Sequence, residues 1–257
     1  MQGLRPETDI AWEQYDAVLF DLDGVLTDTV GVHAACWKRT FDEFLRRRAD
    51  RTGDPFQPFD IESDYRLYVD GKRRYDGVRD FLHSRGIDLP EGSPGDPPDA
   101  ETICGVGNRK NALVNQALEE GGVEVYPSSV ALVRALRDAG VKTGVVSSSS
   151  NCAAVLRAAD IDDLFDVRVD GKVAAELGLP GKPAPDTFLE AARQLGADAK
   201  RTVVVEDAIS GVQAGRDGGF GLVIGIARHD EPGVLREEGA DLVVSDLGEL
   251  SGSAAGD

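Results

Sequence analysis

Residues 17–26 read AVLFDLDGVL, and this stretch decides the fold. Ala17, Val18, Leu19 and Phe20 make a continuous apolar run, the pattern of a strand buried on both faces. The run breaks into Asp21, Leu22 and Asp23, then Gly24. Two carboxylates just past a buried strand cost too much as core residues unless something pairs them. Open α/β sheets carry their sites at the carboxyl ends of strands, where Asp21 and Asp23 would emerge. Asp21 suits nucleophilic attack on phosphorus, and Asp23, one period of two away, faces the same reacting group. Alone, DLDG also fits a solvated turn. The rest of the chain has to choose.

The remainder alternates in the same style from residue 126 on. ALVRALRDAG (131–140) reads as a short amphipathic helix and VKTGVVS (141–147) as a buried strand. A helix is expected over 151–159, a strand at FDVRV (165–169) and an amphipathic helix at 185–197. TVVVED (202–207) is another apolar strand ending in acids, followed by a helix and the strands GLVIGIA (221–227) and ADLVVSD (240–246). Strands alternating with helices imply a parallel sheet with right-handed crossovers. Residues 30–121 differ, with helical patterns at 33–48, 75–86 and 109–122 and no comparable buried strand. The fold expected is an α/β, Rossmann-like parallel-sheet core (1–29 and 122–257) with an inserted helical domain (30–121). The Pro/Gly/Asp-rich stretch 87–101 is expected as a mobile loop, and the first dozen residues and the terminal SGSAAGD as frayed.

Composition narrows the function classes. The chain has 257 residues, 41% hydrophobic and 29% charged, the profile of a soluble globular protein. No apolar run approaches the roughly 20 residues a membrane span needs, and the N-terminus lacks a signal peptide's apolar stretch. A net charge of −18 argues against nucleic acid and anionic membranes as partners, though not against a phosphorylated substrate. Cys36, Cys104 and Cys152 are odd in number and widely spaced, which suggests reduced thiols and a cytoplasmic location. His33, His83 and His229 are equally scattered, so no zinc site is expected.

Three expected strands end in polar groups: Asp21 and Asp23, then Ser147-Ser148-Ser149, then Glu206-Asp207. Between the last two lies Gly181-Lys182-Pro183-Ala184-Pro185, a lysine in a proline-stiffened turn ahead of a helix. If the strands are parallel neighbours, these ends converge on one crevice. Carboxylates, a hydroxyl-rich strand end and a fixed lysine together suit Mg²⁺ and phosphate. Each piece also has a plainer reading. Ser150 or Asn151 fits a helix N-cap, Lys182 a surface lysine, and Glu206-Asp207 a solvated strand end.

Taken in order, FDLDGVLTDT, VVSSSSN, GKPAPDTF and VVVEDAISGVQAG resemble the four signature motifs of the haloacid dehalogenase superfamily of phosphotransferases. The resemblance covers about 16–31 and 124–246, and the insertion after the first motif looks like that superfamily's helical cap. It implies Asp21 as the nucleophile that forms an aspartyl phosphate and Asp23 as the general acid/base. It further implies Mg²⁺ held by Asp21, the Asp23 carbonyl and Asp207, with Glu206 a ligand or just behind the ligands. Ser147, Ser148 and Lys182 would bind phosphate. Asp23 speaks against a true dehalogenase, which usually lacks it and needs no magnesium cluster.

Within the superfamily, TDTVGVHAACW (27–37) is similar to the β-phosphoglucomutase family segment with a hinge threonine, a histidine and a tryptophan. Thr29, His33 and Trp37 occupy those places. GKRR (71–74) aligns with a loop bearing a phosphate-binding arginine, here Arg74, and RKN (109–111) points to Lys110 reading the sugar. Asn151 joins the expected substrate-facing residues. The chain departs from that family in longer segments at 170–181 and 88–101, in Ala208 for a common serine, and in GKRRYDG for GVSRxDS. The resemblance implies interconversion of β-glucose 1-phosphate and glucose 6-phosphate by a monomer acting on a small phosphorylated sugar. The alternatives are a phosphatase on small sugar phosphates and, in another class, a non-catalytic binding protein on this fold.

Overall fold

The computed structural model describes residues 9–228 and 232–253. Along the chain run β1 (Ala17–Phe20), α1 (Val30–Thr52), α2 (Arg74–Ser84), α3 (Ile103–Gly121), α4 (Pro127–Asp138), β2 (Lys142–Val146) and α5 (Cys152–Ala158). They are followed by β3 (Val167–Val169), α6 (Gly171–Glu176), α7 (Asp186–Leu195), β4 (Thr202–Glu206), α8 (Ile209–Asp217), β5 (Leu222–Ile226), α9 (Pro232–Glu238) and β6 (Leu242–Val244). The chain divides into two compact units at 28/29 and 122/123, one residue from each border read in the sequence.

The first unit is built on six parallel strands in the order β3-β2-β1-β4-β5-β6. β1 lies at the centre, with Phe20 opposite Val145 on one side and Val205 on the other. All four of its side chains are fully buried, as its unbroken apolarity requires. The strand order reverses between β1 and β4, so the crevice at their carboxyl ends is where such sheets bind ligands. The outer strands β3 and β6 are three residues each, shorter than FDVRV and ADLVVSD suggest, because an edge strand finds ladder partners on one side only. Phe188, Leu195, Val204, Val212, Val223 and Leu235 fill one shared core cluster of this unit.

Three local features differ from the sequence reading. α4 begins at Pro127 rather than 131, since proline's fixed φ suits the first helical position. α6 was not legible, being too short at six residues to show a period. Asp170 caps it, accepting from the N–H of Lys172 (2.9 Å) and Val173 (3.0 Å). α9 was likewise missed. At the N-terminus, Ile10 and Trp12 are buried, so fraying of the whole first dozen is not seen. Residues 1–8 and 254–257 of the expected frayed ends lie outside the described residues.

The second unit holds α1, α2, α3 and a π-helical turn, Tyr65–Val69. Its core is aromatic. Phe41 is fully buried, with ring centroids 5.1 Å from Trp37, 5.1 Å from Phe59 and 4.2 Å from Phe81. α3 starts at Ile103, six residues before the expected 109, because Thr102 caps it by accepting from Gly105 N–H at 2.9 Å. Gly105 and Gly107 had hidden this first turn. Residues 87–101 lack helix and strand but are tied to α3. Pro90 and Glu91 carbonyls accept from the N–H of Ile103 (2.9 Å) and Cys104 (3.1 Å), and Asn108 Nδ2 donates to the Pro94 (3.1 Å) and Asp96 (2.9 Å) carbonyls. The expected mobile loop is thus an anchored one.

Candidate active site

Asp21 leaves β1 with its N–H donating to the Val205 carbonyl at 3.0 Å, which carries the strand pairing one step past Phe20. This sets its carboxylate beside Glu206, the last residue of β4. Lys182, from the turn ahead of α7, enters between them. Its Nζ donates to Asp21 Oδ1 at 2.5 Å, to Glu206 Oε1, and to the Val146 carbonyl at 3.3 Å. The same ammonium lies 4.8 Å from the centroid of the Phe188 ring. Glu206 is fully buried, and its second oxygen accepts from the N–H groups of Asp207 and Ala208, both at 3.1 Å.

Asp21, Glu206 and Asp207 each offer a carboxylate oxygen within 4.8 Å of the others. Asp23 is half-buried and contributes no carboxylate to that group. Two glycines let the group close up. A Cβ on Gly24, whose φ is +83°, would fall 1.8 Å from Asp207 Oδ2, and one on Gly211 would fall 1.9 Å from Glu206 Oε1.

The electrostatics follow from burial. Desolvation raises Asp21 above the usual carboxylate range; the Lys182 charge opposes it and Asp23 adds to it. Burial pushes Glu206 up to about 7 against the pull of Lys182. Burial alone would lower Lys182, but Asp21 and Glu206 together hold it above its ordinary value. Three clustered buried carboxylates, two of them sharing one ammonium, give the low-dielectric crevice more acids than cations. Hard oxygen donors without sulfur or imidazole, short of positive charge, fit a divalent cation of the Mg²⁺ type.

The turn after β1 is hydrogen-bonded on itself: Gly24 N–H donates to Thr27 O (2.8 Å), and Thr27 N–H (2.9 Å) and Oγ1 (3.1 Å) donate to Leu22 O. Sequence reading missed Arg228, whose Nε donates to the Gly24 carbonyl at 3.2 Å. Its guanidinium lies 3.8 Å from the centroid of the Tyr126 ring, and Tyr126 OH donates to Asp28 Oδ1 at 3.0 Å. The available signal was its place just past β5, another carboxyl end of the same sheet.

Ser147, buried at the end of β2, donates its N–H to Val169 O (3.1 Å) and accepts from Ser149 N–H (3.1 Å) through Oγ. Ser148 and Asn151 are half-buried in the following turn. Asn151 stands at the N-cap position of α5, yet its side chain makes no capping bond. Asn151 is thus the N-cap residue by position only.

In the second unit, Lys110 is buried, with Nζ 3.0 Å from His33 Nδ1 and 4.8 Å from the Trp37 ring centroid. Burial and the Lys110 charge hold His33 well below its ordinary pKa, so the imidazole is neutral at pH 7. Thr29 is buried just before α1 and accepts His33 N–H through its carbonyl at 3.0 Å. Arg74 opens α2, and its Nη2 donates to Tyr75 OH (3.1 Å) and Asn108 Oδ1 (3.4 Å), while its Nε is buried without a hydrogen-bond partner. The structure thus brings Thr29, His33, Trp37 and Lys110 into one neighbourhood and gives Arg74 its own, around Asn108.

Comparison with known proteins agrees with this geometry. Residues 15–219 match the family model of haloacid dehalogenase-like hydrolases. A β-phosphoglucomutase of Mycobacterium tuberculosis is 50% identical over 241 residues, 93% of this chain and 92% of that one. A β-phosphoglucomutase of Bacillus subtilis is 29% identical over 91% of each chain. A solved β-phosphoglucomutase from Clostridium difficile shares the fold with a TM-score of 0.71 at 24% identity, over 92% of this chain and 93% of that one. CbbY from Rhodobacter sphaeroides, solved in complex with phosphate, gives 0.67 at 26% identity over 92% of this chain and 96% of that one. With the sheet order, the crevice and its carboxylates in agreement, the chain belongs to the haloacid dehalogenase-like hydrolase family.

Proposed function

We propose that this protein is a Mg²⁺-dependent phosphomutase that interconverts β-glucose 1-phosphate and glucose 6-phosphate through a phosphorylated Asp21. The observation that carries the reading is Lys182 lodged between Asp21 and Glu206, with Asp207 completing a buried carboxylate group. The 50% identity to mycobacterial β-phosphoglucomutases supports the choice of sugar phosphate.

Asp21, Asp207 and Glu206, with the Asp23 carbonyl, are the groups that would hold Mg²⁺. When bound it supplies the positive charge that lets a phosphate dianion approach these carboxylates. Lys182 and the Ser147–Ser148 turn bind the phosphoryl oxygens that transfer. In one half-reaction the phosphoryl group leaves Asp21 for a sugar hydroxyl, whose proton passes to Asp23. In the other, the second phosphoryl group of the resulting bisphosphate moves to Asp21, and Asp23 returns the proton to the oxygen that leaves. Arg74 holds the phosphate that is not reacting, and Lys110 with neutral His33 reads the sugar hydroxyls. Thr29, Trp37 and Asn151 shape the surroundings.

The test is ³¹P NMR of the protein with β-glucose 1-phosphate, Mg²⁺ and a catalytic amount of glucose 1,6-bisphosphate. Conversion to glucose 6-phosphate is expected, blocked by EDTA and restored by Mg²⁺. Accumulation of free phosphate instead would make the protein a sugar phosphatase, and no reaction would remove the enzyme reading.

A further inference from the structure

We infer that Arg228 is a positioning residue for the catalytic turn, holding Asp21, Asp23 and Gly24 in place against Asp207. The inference rests on the reading above, that the carboxylates after β1 carry the chemistry.

Within the first unit, Arg228 meets three separate pieces of chain. Its Nε donates to the carbonyl of Gly24, the residue of the turn whose close approach to Asp207 leaves no room for a side chain. Its Nη1 donates to the Ser245 carbonyl at 3.1 Å and to Asp246 Oδ2 at 3.4 Å, just past β6. The guanidinium face stacks on Tyr126. Tyr126 belongs to a short pairing between the chain leaving the first unit and the chain returning to it. Asp28 N–H donates to Glu124 O (2.9 Å), Tyr126 N–H to Leu26 O (3.0 Å), and Thr27 bridges Val125. The phenol closes the pairing through Asp28.

One planar group therefore links the nucleophile's turn, both chain crossings and the end of β6. The turn from Asp21 to Thr27 is held by its own internal bonds, by Val205 and Lys182 at Asp21, by Tyr126 and Val125 at Leu26 and Thr27, and by Arg228 at Gly24. Asp207 comes from a different strand, so its fit against Gly24 depends on where that turn sits. Arginine suits the task because its rigid fork donates in two directions while its face stacks on an aromatic ring. A lysine is a point charge without that fork. The side chain is 14% exposed, which leaves it little other freedom.

The experiment compares wild type with Arg228→Met, which keeps the bulk against Tyr126 but loses the donors, and Arg228→Lys, which keeps the charge. Two readouts are used: steady-state hydrolysis of a small phosphate monoester, and the rise in Tm on titration with Mg²⁺ alone. Both variants are expected to lower kcat by about 10–100-fold through a misplaced nucleophile. KM should stay within about threefold, because substrate contacts are untouched. Both should need more Mg²⁺ for the same rise in Tm. Tyrosinate absorbance adds a signature: Arg228 favours the phenolate of Tyr126, so its loss should move that titration further up. If Arg228→Met fails to fold, Arg228→Lys carries the test. Full restoration by lysine would reduce Arg228 to a charge and overturn positioning. So would a drop in Tm with kcat and the Mg²⁺ response unchanged. A wild type that neither responds to Mg²⁺ nor turns over would instead overturn the catalytic reading itself, and the role of Arg228 with it.

Discussion

Lys182 and Asp21, 161 residues apart in the chain, meet at 2.5 Å between Nζ and Oδ1. The same ammonium contacts Glu206, so one side chain ties the end of β1 to the end of β4 across the switch point of the sheet. Removing one partner of a buried pair typically costs about 3–5 kcal/mol, because the other charge is left uncompensated. Lys182 keeps Glu206 when Asp21 is neutralised, which makes the proposed nucleophile testable without unfolding the protein.

Asp21→Asn preserves shape and packing but removes the oxygen anion proposed to attack. Turnover should fall by at least about 10³-fold, roughly 4 kcal/mol of barrier. The circular dichroism spectrum should not change. Activity within tenfold of wild type in a pure preparation would take Asp21 out of the mechanism.

Arg74→Ala separates the mutase from a simple phosphatase. A charge-assisted phosphate contact whose partner is left desolvated is worth roughly 2–5 kcal/mol. Mutase flux should drop by at least ~30-fold. Hydrolysis of a small phosphate ester, which needs only the first unit's carboxylates and Lys182, should change far less. Equal loss of both activities would assign Arg74 to folding of its own unit, and no loss would return it to the surface charges.

Phe41→Ala empties the centre of the aromatic cluster formed with Trp37, Phe59 and Phe81. Core Phe→Ala substitutions cost about 3–5 kcal/mol. Hydrogen exchange should accelerate in α1 and α2, while the strand amides of β1 and β4 keep their protection. Uniform acceleration across both units would show that they unfold as one.

Tyr126 gives a prediction in pH. Burial first, then its hydrogen bond to Asp28, pushes the phenol from 10.0 up to about 12. The folded protein therefore holds this proton more tightly than the unfolded chain does. The stabilisation is complete below the unfolded value and is lost as pH rises through the folded one. Tyr126→Phe should remove one strongly alkaline tyrosine titration and flatten the fall in stability over that window. Stability that falls equally steeply in both proteins would place the cause elsewhere.

Much of this was legible in the sequence because the signals are local. A strand buried on both faces must be apolar throughout, so Ala17–Phe20 and Thr202–Glu206 declared themselves by composition, and the acids after them marked strand ends. The short helices α6 and α9 were not legible. Six residues, as in α6, show no period, and glycines inside α3 concealed its first turn although Thr102 was there to cap it. Asp21, Lys182, Glu206 and Asp207 stood out as residue types in order, but their meeting was decided by strand order, which pairs β1 with the distant β4 as well as with β2, the next strand in sequence. Arg228 carried no sequence signal beyond its place just past β5. A stacked arginine differs from a surface arginine only in what the fold places beside it, and that contact spans 102 residues of chain. Local periodicity and polarity determine the elements. Long-range pairing across a parallel sheet determines which chemistry-bearing ends share a crevice, because each crossover carries the chain away before returning it.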